Sequence, residues 1–225
     1  MSHNIGEKGT VMIEIQNLTK VFQEQTVLQN INATFDAGLI HGVIGKNGAG
    51  KTVLLRLLCG LMHPSKGQVI VDGKQLGKDV DFAPDAGIII ETPCFLPYLS
   101  GFQNLKELAS IRNIISKEEI AEAMEQVKLD PSSRKHVGKY SLGMRQRLGI
   151  AQAIMERPRY LILDEPMNGL DTQGMEDVRE LLQKQKETGV TVILASHSME
   201  DIRLLCDTVH RIQDVSLIPC TTEFS

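Results

Sequence analysis

Tryptophan is absent from this 225-residue chain, and aromatic residues make up only 4% of it. The chain has four cysteines, but none of them forms a C-x-x-C pair or has a histidine at the spacing of a zinc site. A chain of this length can bury a full core without covalent staples. The cysteine pattern therefore excludes a zinc ribbon and predicts reduced thiols, as in a cytosolic protein.

Long apolar runs and an excess of positive charge are also missing. No stretch of about 18 uncharged apolar residues occurs, and the polar start MSHNIGEKGT has no apolar segment of signal-peptide length. The 24 lysines and arginines stand against 28 aspartates and glutamates, a formal net charge of −4. Neutralising nucleic-acid phosphates needs a basic surface, so we expect no nucleic-acid partner. We expect any role at a membrane to depend on a partner protein.

Strand and helix patterns alternate along most of the chain. Branched apolar runs predict strands over residues 11–16, 31–35, 39–44, 68–72, 87–91, 160–163, 190–195 and 208–212. Helical periodicity predicts helices over residues 49–60, 102–113, 117–128, 142–155, 173–187 and 198–206. Such alternation is typical of an α/β fold with a mostly parallel sheet.

One long segment breaks this alternation, because three helical patterns follow one another without a strand. A capping box, Ser116 with Glu119, opens the second of them. The length of the chain favours one domain. We therefore predict a single domain over residues 11–214, with an α/β core at 11–91 and 157–214, a helical subdomain at 92–156, and tails at 1–10 and 215–225.

A phosphate-binding motif follows the third predicted strand. Residues 45–52, GKNGAGKT, fit G-x-x-x-x-G-K-[ST] and lie between a strand and a helix, as the motif requires. Backbone N–H groups and the helix N-terminus can surround phosphate oxygens, Lys51 can reach the β- and γ-phosphates, and Thr52 can bind Mg²⁺. The alternative, a plain glycine-rich turn, would need neither the strand before it nor the helix after it. The candidate nucleotide-binding residues are Gly45, Asn47, Gly48, Ala49, Gly50, Lys51, Thr52 and Val53.

Polar side chains with catalytic potential follow two further apolar strands. Asp164 and Glu165 follow the strand at 160–163, where an aspartate can hold Mg²⁺ and a second carboxylate can orient and deprotonate an attacking water. His197 follows the strand at 190–195, on the edge where ligands bind in α/β sheets, and could bond a γ-phosphate. Taken alone, a solvated acidic pair and a structural or surface histidine are the alternatives.

The segment Tyr140–Arg147, YSLGMRQR, resembles the signature motif L-S-G-G-Q of ATP-binding cassette (ABC) ATPases. The phosphate motif, this signature, the acidic pair, the loop 168–171 and the histidine appear in the order of that family, over residues 12–214. The resemblance implies a P-loop NTPase (RecA-like) core with a mostly parallel sheet, an N-terminal antiparallel β part and an inserted α-helical subdomain.

The resemblance also implies how the site residues work. Two copies would sandwich two ATP molecules, with Glu165 as general base, His197 as γ-phosphate sensor and Asp171 in a loop that crosses the dimer interface. Phe22 would stack on adenine, although a core phenylalanine is the alternative. The signature residues that would cap the ATP of the other copy are Ser141, Leu142, Gly143 and Met144.

The chain departs from the family pattern at three functional positions. Leu142 replaces a glycine and Met144 a glutamine of the signature, and Glu91 stands where the family has a glutamine after the strand that leads into the helical insert. We expect Glu91 to be a Mg²⁺ ligand, since a carboxylate can bind this ion. Glutamate at this place, with the Y-S-L-G-M signature, resembles the branch that exports lantibiotics and bacitracin-type peptide antibiotics or gives immunity to them.

These observations predict an ATP- and Mg²⁺-dependent ATPase subunit that powers a transporter, with a separate multi-helix membrane permease. It would act as a homodimer or paired with a sister subunit, on the cytoplasmic face of the cell membrane. The apolar segment 94–102 would receive the permease, unless it packs the insert onto the core. The alternative function is a soluble ABC-type ATPase in translation or nucleic-acid maintenance. A P-loop kinase or GTPase would not explain the signature.

Overall fold

Two β-sheets and the helices around them organise the chain in the computed structural model, which describes residues 13–220. The strands, in chain order, are β1 (Ile13–Phe22), β2 (Gln25–Phe35), β3 (Ile40–Gly45), β4 (Lys66–Val71), β5 (Lys74–Gln75), β6 (Ala86–Ile89), β7 (Tyr160–Asp164), β8 (Thr191–Ala195), β9 (Thr208–Gln213) and β10 (Ser216–Pro219). The α-helices are α1 (Lys51–Leu58), α2 (Gly101–Arg112), α3 (Lys117–Gln126), α4 (Leu142–Ile154), α5 (Thr172–Glu187) and α6 (Met199–Leu205). Each predicted strand and helix has a counterpart here, although residues 11–12 of the first predicted strand lie outside the described residues.

The smaller sheet is antiparallel and has the strand order β2-β1-β4-β5. Its first two strands form a hairpin that turns at Gln23 and Glu24, where Gln23 has a φ of 52°. Alternate side chains of these strands, such as Leu18, Leu28 and Phe35, are fully buried, as expected for a sheet with one face on the core. The expected antiparallel part near the N-terminus is thereby confirmed.

The larger sheet has the strand order β10-β9-β3-β8-β7-β6, and every neighbouring pair except β10 and β9 is parallel. Strands β7 and β8 are buried along their whole length, because helices pack on both faces of a parallel sheet. The carboxyl ends of β3, β7 and β8 lie at the same edge. The segments that follow these strands therefore meet there, and the predicted α/β class with a mostly parallel sheet is confirmed.

Helices α2, α3 and α4 follow one another between β6 and β7, in the segment where the sequence predicts a helical insert. Ser116 and Glu119 form the predicted capping box at the start of α3. Helix α4 lies so close to β6 that a Cβ on Gly87 would approach the carbonyl oxygen of Ala153 to 1.9 Å. Only glycine fits at this crossing, which anchors α4 to the edge of the sheet.

The predicted C-terminal tail is wrong for residues 215–219. Residues 216–219 form β10, which pairs with β9 as the antiparallel edge of the larger sheet. The carbonyl oxygen of Val215 accepts a hydrogen bond of 2.8 Å from the N–H of Gln29, which links this edge to β2. The sequence did not indicate this strand, although it forms a hairpin with adjacent β9, because four residues carry little periodicity of their own. The predicted tails at 1–10 and 221–225 lie outside the described residues.

Buried His41 and half-buried His210 contact Phe35, and each ring centroid lies 5.3 Å from that of the phenylalanine. His41 Nε2 lies 2.8 Å from the carbonyl oxygen of Asp36, and Nδ1 lies 2.7 Å from the hydroxyl of Thr208. Because a carbonyl oxygen only accepts, Nε2 carries the proton and neutral His41 satisfies both bonds. His210 Nδ1 is buried and has no hydrogen-bond partner within residues 13–220.

Burial lowers the pKa of both histidines, and nearby His41 lowers the pKa of His210 further, whereas Asp36 and Asp207 partly oppose the effect at His41. The unfolded chain then binds more protons, so the stability that the neutral histidines contribute is complete above about pH 6.5 and is lost as the pH falls below it. The expected change in the free energy of unfolding is at most about 1.4 kcal/mol per pH unit for each histidine.

Urea unfolding at about pH 7.5 and about pH 5.5 measures this pH dependence of the free energy of unfolding. His210→Leu should flatten the slope and exposed His136→Gln should keep it; equal stability of the parent chain at both pH values would contradict the expectation.

Candidate active site

The loop between β3 and α1 contains the predicted phosphate-binding motif, and residues 45–52 form a phosphate cradle. Gly48 and Gly50 adopt left-handed backbones with φ of 77° and 107°, which let the loop curl before α1 begins at Lys51. A Cβ on Gly50 would lie 2.9 Å from Val27 Cγ1 of β2, so the loop packs directly on the smaller sheet. The buried ammonium of Lys51 donates hydrogen bonds to the carbonyl oxygens of Gly45 at 2.9 Å and Lys46 at 3.4 Å.

A cleft of about 670 Å³ opens beside this loop. Cradle residues 45–49 form one wall, and Ser196 and His197 at the end of β8 face them. Sequence reasoning missed the remaining wall, because no motif marks its side chains. These residues are Ile44, Met199, Arg211, Ile212, Gln213 and Asp214.

The cradle and the acidic pair meet at Thr52. Its hydroxyl donates a hydrogen bond of 2.5 Å to Asp164 Oδ2, and Asp164 is buried at the end of β7. A hydroxyl and a carboxylate are hard oxygen ligands, and Mg²⁺ typically binds one or two carboxylates together with substrate phosphates and water. The two side chains therefore fit the ion that the sequence predicts here. Within residues 13–220 no group of three or more histidine, cysteine, aspartate or glutamate side chains forms an all-protein metal cluster.

Glu165 and His197 form a hydrogen-bonded pair at the same edge. The backbone N–H of Glu165 donates to the carbonyl oxygen of Ala195 at 2.9 Å, and its φ of 50° turns the chain after β7. This turn lets adjacent Asp164 and Glu165 both reach the edge, as predicted for a strand end. Glu165 Oε2 lies 2.7 Å from His197 Nδ1 and accepts a 3.2 Å bond from the His197 N–H. A carboxylate held in this way can accept a proton from a bound water.

The predicted signature residues lie at the start of α4. Ser141 caps the helix by accepting the N–H of Met144 at 3.1 Å, and Leu142 is 52% exposed. A Cβ on Gly143 would lie 2.9 Å from the Gly169 carbonyl oxygen, so the helix packs on the loop that follows Glu165. The signature segment thereby contacts the loop that follows Asp164 and Glu165 in the same chain.

Gln146 adds a second contact between α4 and this loop, since its buried side chain donates a 3.0 Å hydrogen bond to the carbonyl oxygen of Pro166. Asp171 ends the same loop and caps α5 by accepting the N–H of Gly174 at 2.9 Å. Ser141, Gly143 and Asp171 thus have structural roles in the single chain. The sequence did not identify Gln146.

Phe22 lies at the end of β1, beside the turn of the first hairpin. Its ring is 41% exposed, and the ammonium of Lys20 lies 4.9 Å from the ring centroid. The alternative of a core phenylalanine is therefore wrong. Since Val27 of the same hairpin packs against Gly50, the exposed ring belongs to the sheet that supports the cradle.

Glu91 follows β6 and has a φ of 64°. Its Oε1 accepts a 2.6 Å hydrogen bond from the guanidinium of Arg56 in α1. Within residues 13–220 no hydrogen bond joins Glu91 to Thr52 or Asp164. Sequence reasoning missed Arg56, although its position four residues after Thr52 places both on one face of α1.

The apolar segment 94–102 divides into two parts. Phe95 and Phe102 pack against the core, as the alternative predicted, whereas Leu96 and Tyr98 are 44% and 64% exposed. The backbone N–H of Leu96 is held by the side chain of Asn104 at 2.7 Å. An ordered apolar surface therefore remains at this place. Among the helices of residues 13–220, none has the length and apolar composition needed to cross a bilayer.

Comparison with known proteins gives one family. The ABC transporter family model matches residues 28–168. The uncharacterized ABC transporter ATP-binding protein YybJ of Bacillus subtilis (strain 168) is 47% identical over 87% of this chain and 90% of its own length. The bacitracin transport ATP-binding protein BcrA of Enterococcus faecalis is 40% identical over 92% of this chain and 70% of its own. The lantibiotic transport ATP-binding protein SrtF of Streptococcus pyogenes is 35% identical over 92% and 89%.

Solved structures agree with this fold. The ATP-binding subunit of an ABC transporter superposes with a TM-score of 0.84 and 26% identity, covering 94% of this chain and 90% of that one. An ATP-binding cassette in a dimeric post-hydrolysis state with ADP and Pi gives a TM-score of 0.81 at 20% identity, covering 91% and 96%. The cleft, the ordered motifs and these relatives lead to one conclusion: this chain belongs to the ABC transporter family, as an ATP-binding and ATP-hydrolysing subunit.

Proposed function

We propose that this chain powers the export of a peptide antibiotic, or immunity to one, through a separate multi-helix membrane permease. The observation that carries this proposal is the similarity to relatives named for bacitracin and lantibiotic transport, at 40% and 35% identity over 92% of the chain. The signature Y-S-L-G-M and the glutamate at position 91 support the same branch. The alternative of a soluble ABC-type ATPase in translation or nucleic-acid maintenance finds no support among these relatives.

ATP binds between the cradle and the exposed ring of Phe22. The N–H groups of the curled loop and of the first turn of α1 bind the phosphates, with the helix N-terminus adding its dipole. Lys51 exchanges its bonds to loop carbonyls for the β- and γ-phosphates. Phe22 stacks on adenine, and Lys20 adds positive charge beside it. The nucleotide-binding set is Phe22, Gly45, Asn47, Gly48, Ala49, Gly50, Lys51, Thr52 and Val53.

Thr52 and Asp164 would hold Mg²⁺, and Glu91 would be a third ligand from this chain. When bound, the ion neutralises negative charge on the β- and γ-phosphate oxygens. The buried position of Asp164 and its bond to Thr52 fix the two oxygens before nucleotide arrives. Pre-set ligands lower the cost of ordering the site.

Hydrolysis depends on the pair of Glu165 and His197. Glu165 accepts a proton from the water that attacks the γ-phosphorus, and His197 bonds a γ-phosphate oxygen while it positions the glutamate. The short contact of 2.7 Å between them supports this division of roles. The left-handed backbone at Glu165 turns the chain after β7, and the carboxylate contacts His197, which lines the cleft.

Two ATP sites form when two copies, or this chain and a sister subunit, close face to face. Ser141, Leu142, Gly143 and Met144 of one subunit then cap the γ-phosphate of the other, and Asp171 lies in the loop that crosses the interface. The packing of Gly143 on Gly169 lets hydrolysis in one site move the signature that serves the other.

Residues 92–156 act as the helical subdomain that transmits this movement, within one domain whose core is 11–91 and 157–219, since β10 belongs to the larger sheet. The exposed Leu96 and Tyr98 contribute to the surface that receives the permease. The chain then works on the cytoplasmic face of the cell membrane, as a peripheral subunit.

A tagged pull-down from detergent-solubilised membranes with ATP present, followed by mass spectrometry, tests the transporter role. We expect a multi-helix membrane protein in stoichiometric amount; recovery of ribosomes or of soluble protein alone would overturn the proposal. Cells that produce the chain with that permease should survive more bacitracin or lantibiotic than cells with the Lys51→Ala variant. Equal survival would remove the peptide-antibiotic part and leave the transporter part standing.

A further inference from the structure

The ion pair between Arg56 and Glu91 joins two segments that the proposed mechanism uses separately. Arg56 lies in α1, whose first residues, Lys51 and Thr52, belong to the cradle. Residues four apart on a helix share a face and lie about 6 Å apart along its axis. Arg56 therefore lies one turn after Thr52 on α1, and its guanidinium reaches Glu91 Oε1 at 2.6 Å.

Glu91 also begins a short connection to the helical subdomain. Its left-handed backbone, with φ of 64°, is unusual for a residue with a side chain. Two residues later Pro93 packs on α4, so closely that a Cβ on Gly149 would lie 2.5 Å from Pro93 Cγ. Helix α4 starts with the signature. Pro93 therefore connects the segment that begins at Glu91 to the helix that carries the signature.

A cleft of about 250 Å³ lies along this connection, between Leu61, Glu91, Pro93, Cys94 and Leu108. Leu61 is 54% exposed, and the thiol of Cys94 is free and exposed. The loop after Glu91 thus has room to shift, and a native cysteine lies within it.

The pair is exposed, which makes it reversible. The side chains of Arg56 and Glu91 are 35% and 64% exposed, and ion pairs of this kind change an equilibrium by only about fivefold or less. While the pair is formed, the guanidinium neutralises the charge of the Glu91 carboxylate and orients it through Oε1, so the carboxylate attracts a second cation less strongly. A divalent cation held by ATP can therefore displace a guanidinium bound this weakly.

We propose that Arg56 is a positioning residue that competes with the nucleotide's Mg²⁺ for Glu91, and that the exchange moves the loop 91–94. This inference rests on the proposed role of Glu91 as a Mg²⁺ ligand. Glutamate at position 91 can therefore pair with either Arg56 or Mg²⁺. The glutamine that the family has at this position is neutral and forms no ion pair with arginine. Release of Arg56 by Mg²⁺ and ATP signals nucleotide binding to α4 and to the neighbouring cleft.

The test uses the full chain in a Glu165→Gln background, which keeps nucleotide bound. The two readouts are Mn²⁺ affinity in the presence of ATP, by electron paramagnetic resonance, and the alkylation rate of Cys94 by N-ethylmaleimide, by peptide mass mapping. Mass mapping separates Cys94 from the buried Cys59 and from the other thiols. The variants are Arg56→Gln, Arg56→Lys, Glu91→Gln and the double variant Arg56→Gln/Glu91→Gln.

We expect Arg56→Gln to tighten Mn²⁺ binding about two- to fivefold and to bring the Cys94 rate without nucleotide to the value that the parent shows with Mg²⁺ and ATP. Arg56→Lys keeps the charge and should restore most of the parent behaviour. In the Glu91→Gln background, Arg56→Gln should change neither readout, because the carboxylate for which Arg56 and the cation compete is gone. Arg112→Gln, which breaks exposed ion pairs to Asp85 and Glu156, is the matched control and should match the parent.

Parent-like values for Arg56→Gln in both readouts would overturn this inference, and so would an equal effect of Arg56→Gln with and without Glu91. If ATP and Mn²⁺ bind with normal affinity in those cases, the proposed ATP site stands and only the competition is wrong. Failure of every variant and of the parent to bind ATP would instead overturn the proposed site together with this inference.

Discussion

Glu165→Gln should slow ATP hydrolysis by about 100- to 10,000-fold, the usual contribution of a general base, while ATP still binds. The glutamine amide keeps the shape of the side chain and its reach to His197, which lies 2.7 Å from the carboxylate in the structure. It lacks the basicity to take a proton from water. The left-handed turn at this residue is a backbone property, so the substitution should not move the loop. Steady-state phosphate release and ATP binding, measured on the same preparation, separate the two effects.

The same variant should accumulate as an ATP-bound dimer, because hydrolysis is the step that reopens the two sites. Size-exclusion chromatography with light scattering, with and without ATP, measures the mass. Glu180→Gln on the exposed face of α5 is the matched control and should hydrolyse ATP and dissociate like the parent. Parent-like turnover by Glu165→Gln would show that another group activates the water.

The position of the site follows from sequence because its parts end parallel strands. The apolar runs that become β3, β7 and β8 are fully or almost fully buried, and strands buried on both faces pair in parallel with their carboxyl ends together. The cradle, Asp164 with Glu165, and His197 must then meet at one edge. Local chemistry also predicts the capping box of Ser116 with Glu119, which involves residues three apart.

Other features depend on pairings between distant segments, which local patterns do not encode. The bond between Arg56 and Glu91 spans 35 residues, and its two partners come from a helix and from the loop after a strand. The hydrogen bond from the N–H of Gln29 to the carbonyl oxygen of Val215 likewise joins two distant segments. The cleft wall that includes Arg211 belongs to no motif. The predicted tail failed for a different reason: β10 forms a hairpin with adjacent β9, but its four residues carry little periodicity of their own.

Lys51→Ala should weaken ATP binding by roughly 10- to 150-fold, as expected when a charge-assisted hydrogen bond worth about 1.5–3 kcal/mol is lost. The ammonium is buried in the cradle and already directed at loop carbonyl oxygens, 2.9 Å from that of Gly45. It therefore lies where phosphate oxygens arrive and needs no large rearrangement to bind them. Titration of a fluorescent ATP analogue in the Glu165→Gln background measures the affinity without turnover.

Lys46→Ala tests whether ATP binding depends on the position of the Lys51 ammonium or only on its charge, since Lys46 lies in the same loop but is exposed. Both substitutions remove one positive charge from the cradle, so a general electrostatic attraction would weaken ATP binding equally in the two variants. Direct coordination by Lys51 predicts a much smaller effect of Lys46→Ala, because exposed charges contribute little. Thermal unfolding of the two variants checks that the loop stays folded. A Lys51→Ala variant that is stable and binds ATP as tightly as Lys46→Ala would remove the lysine from the proposed phosphate site.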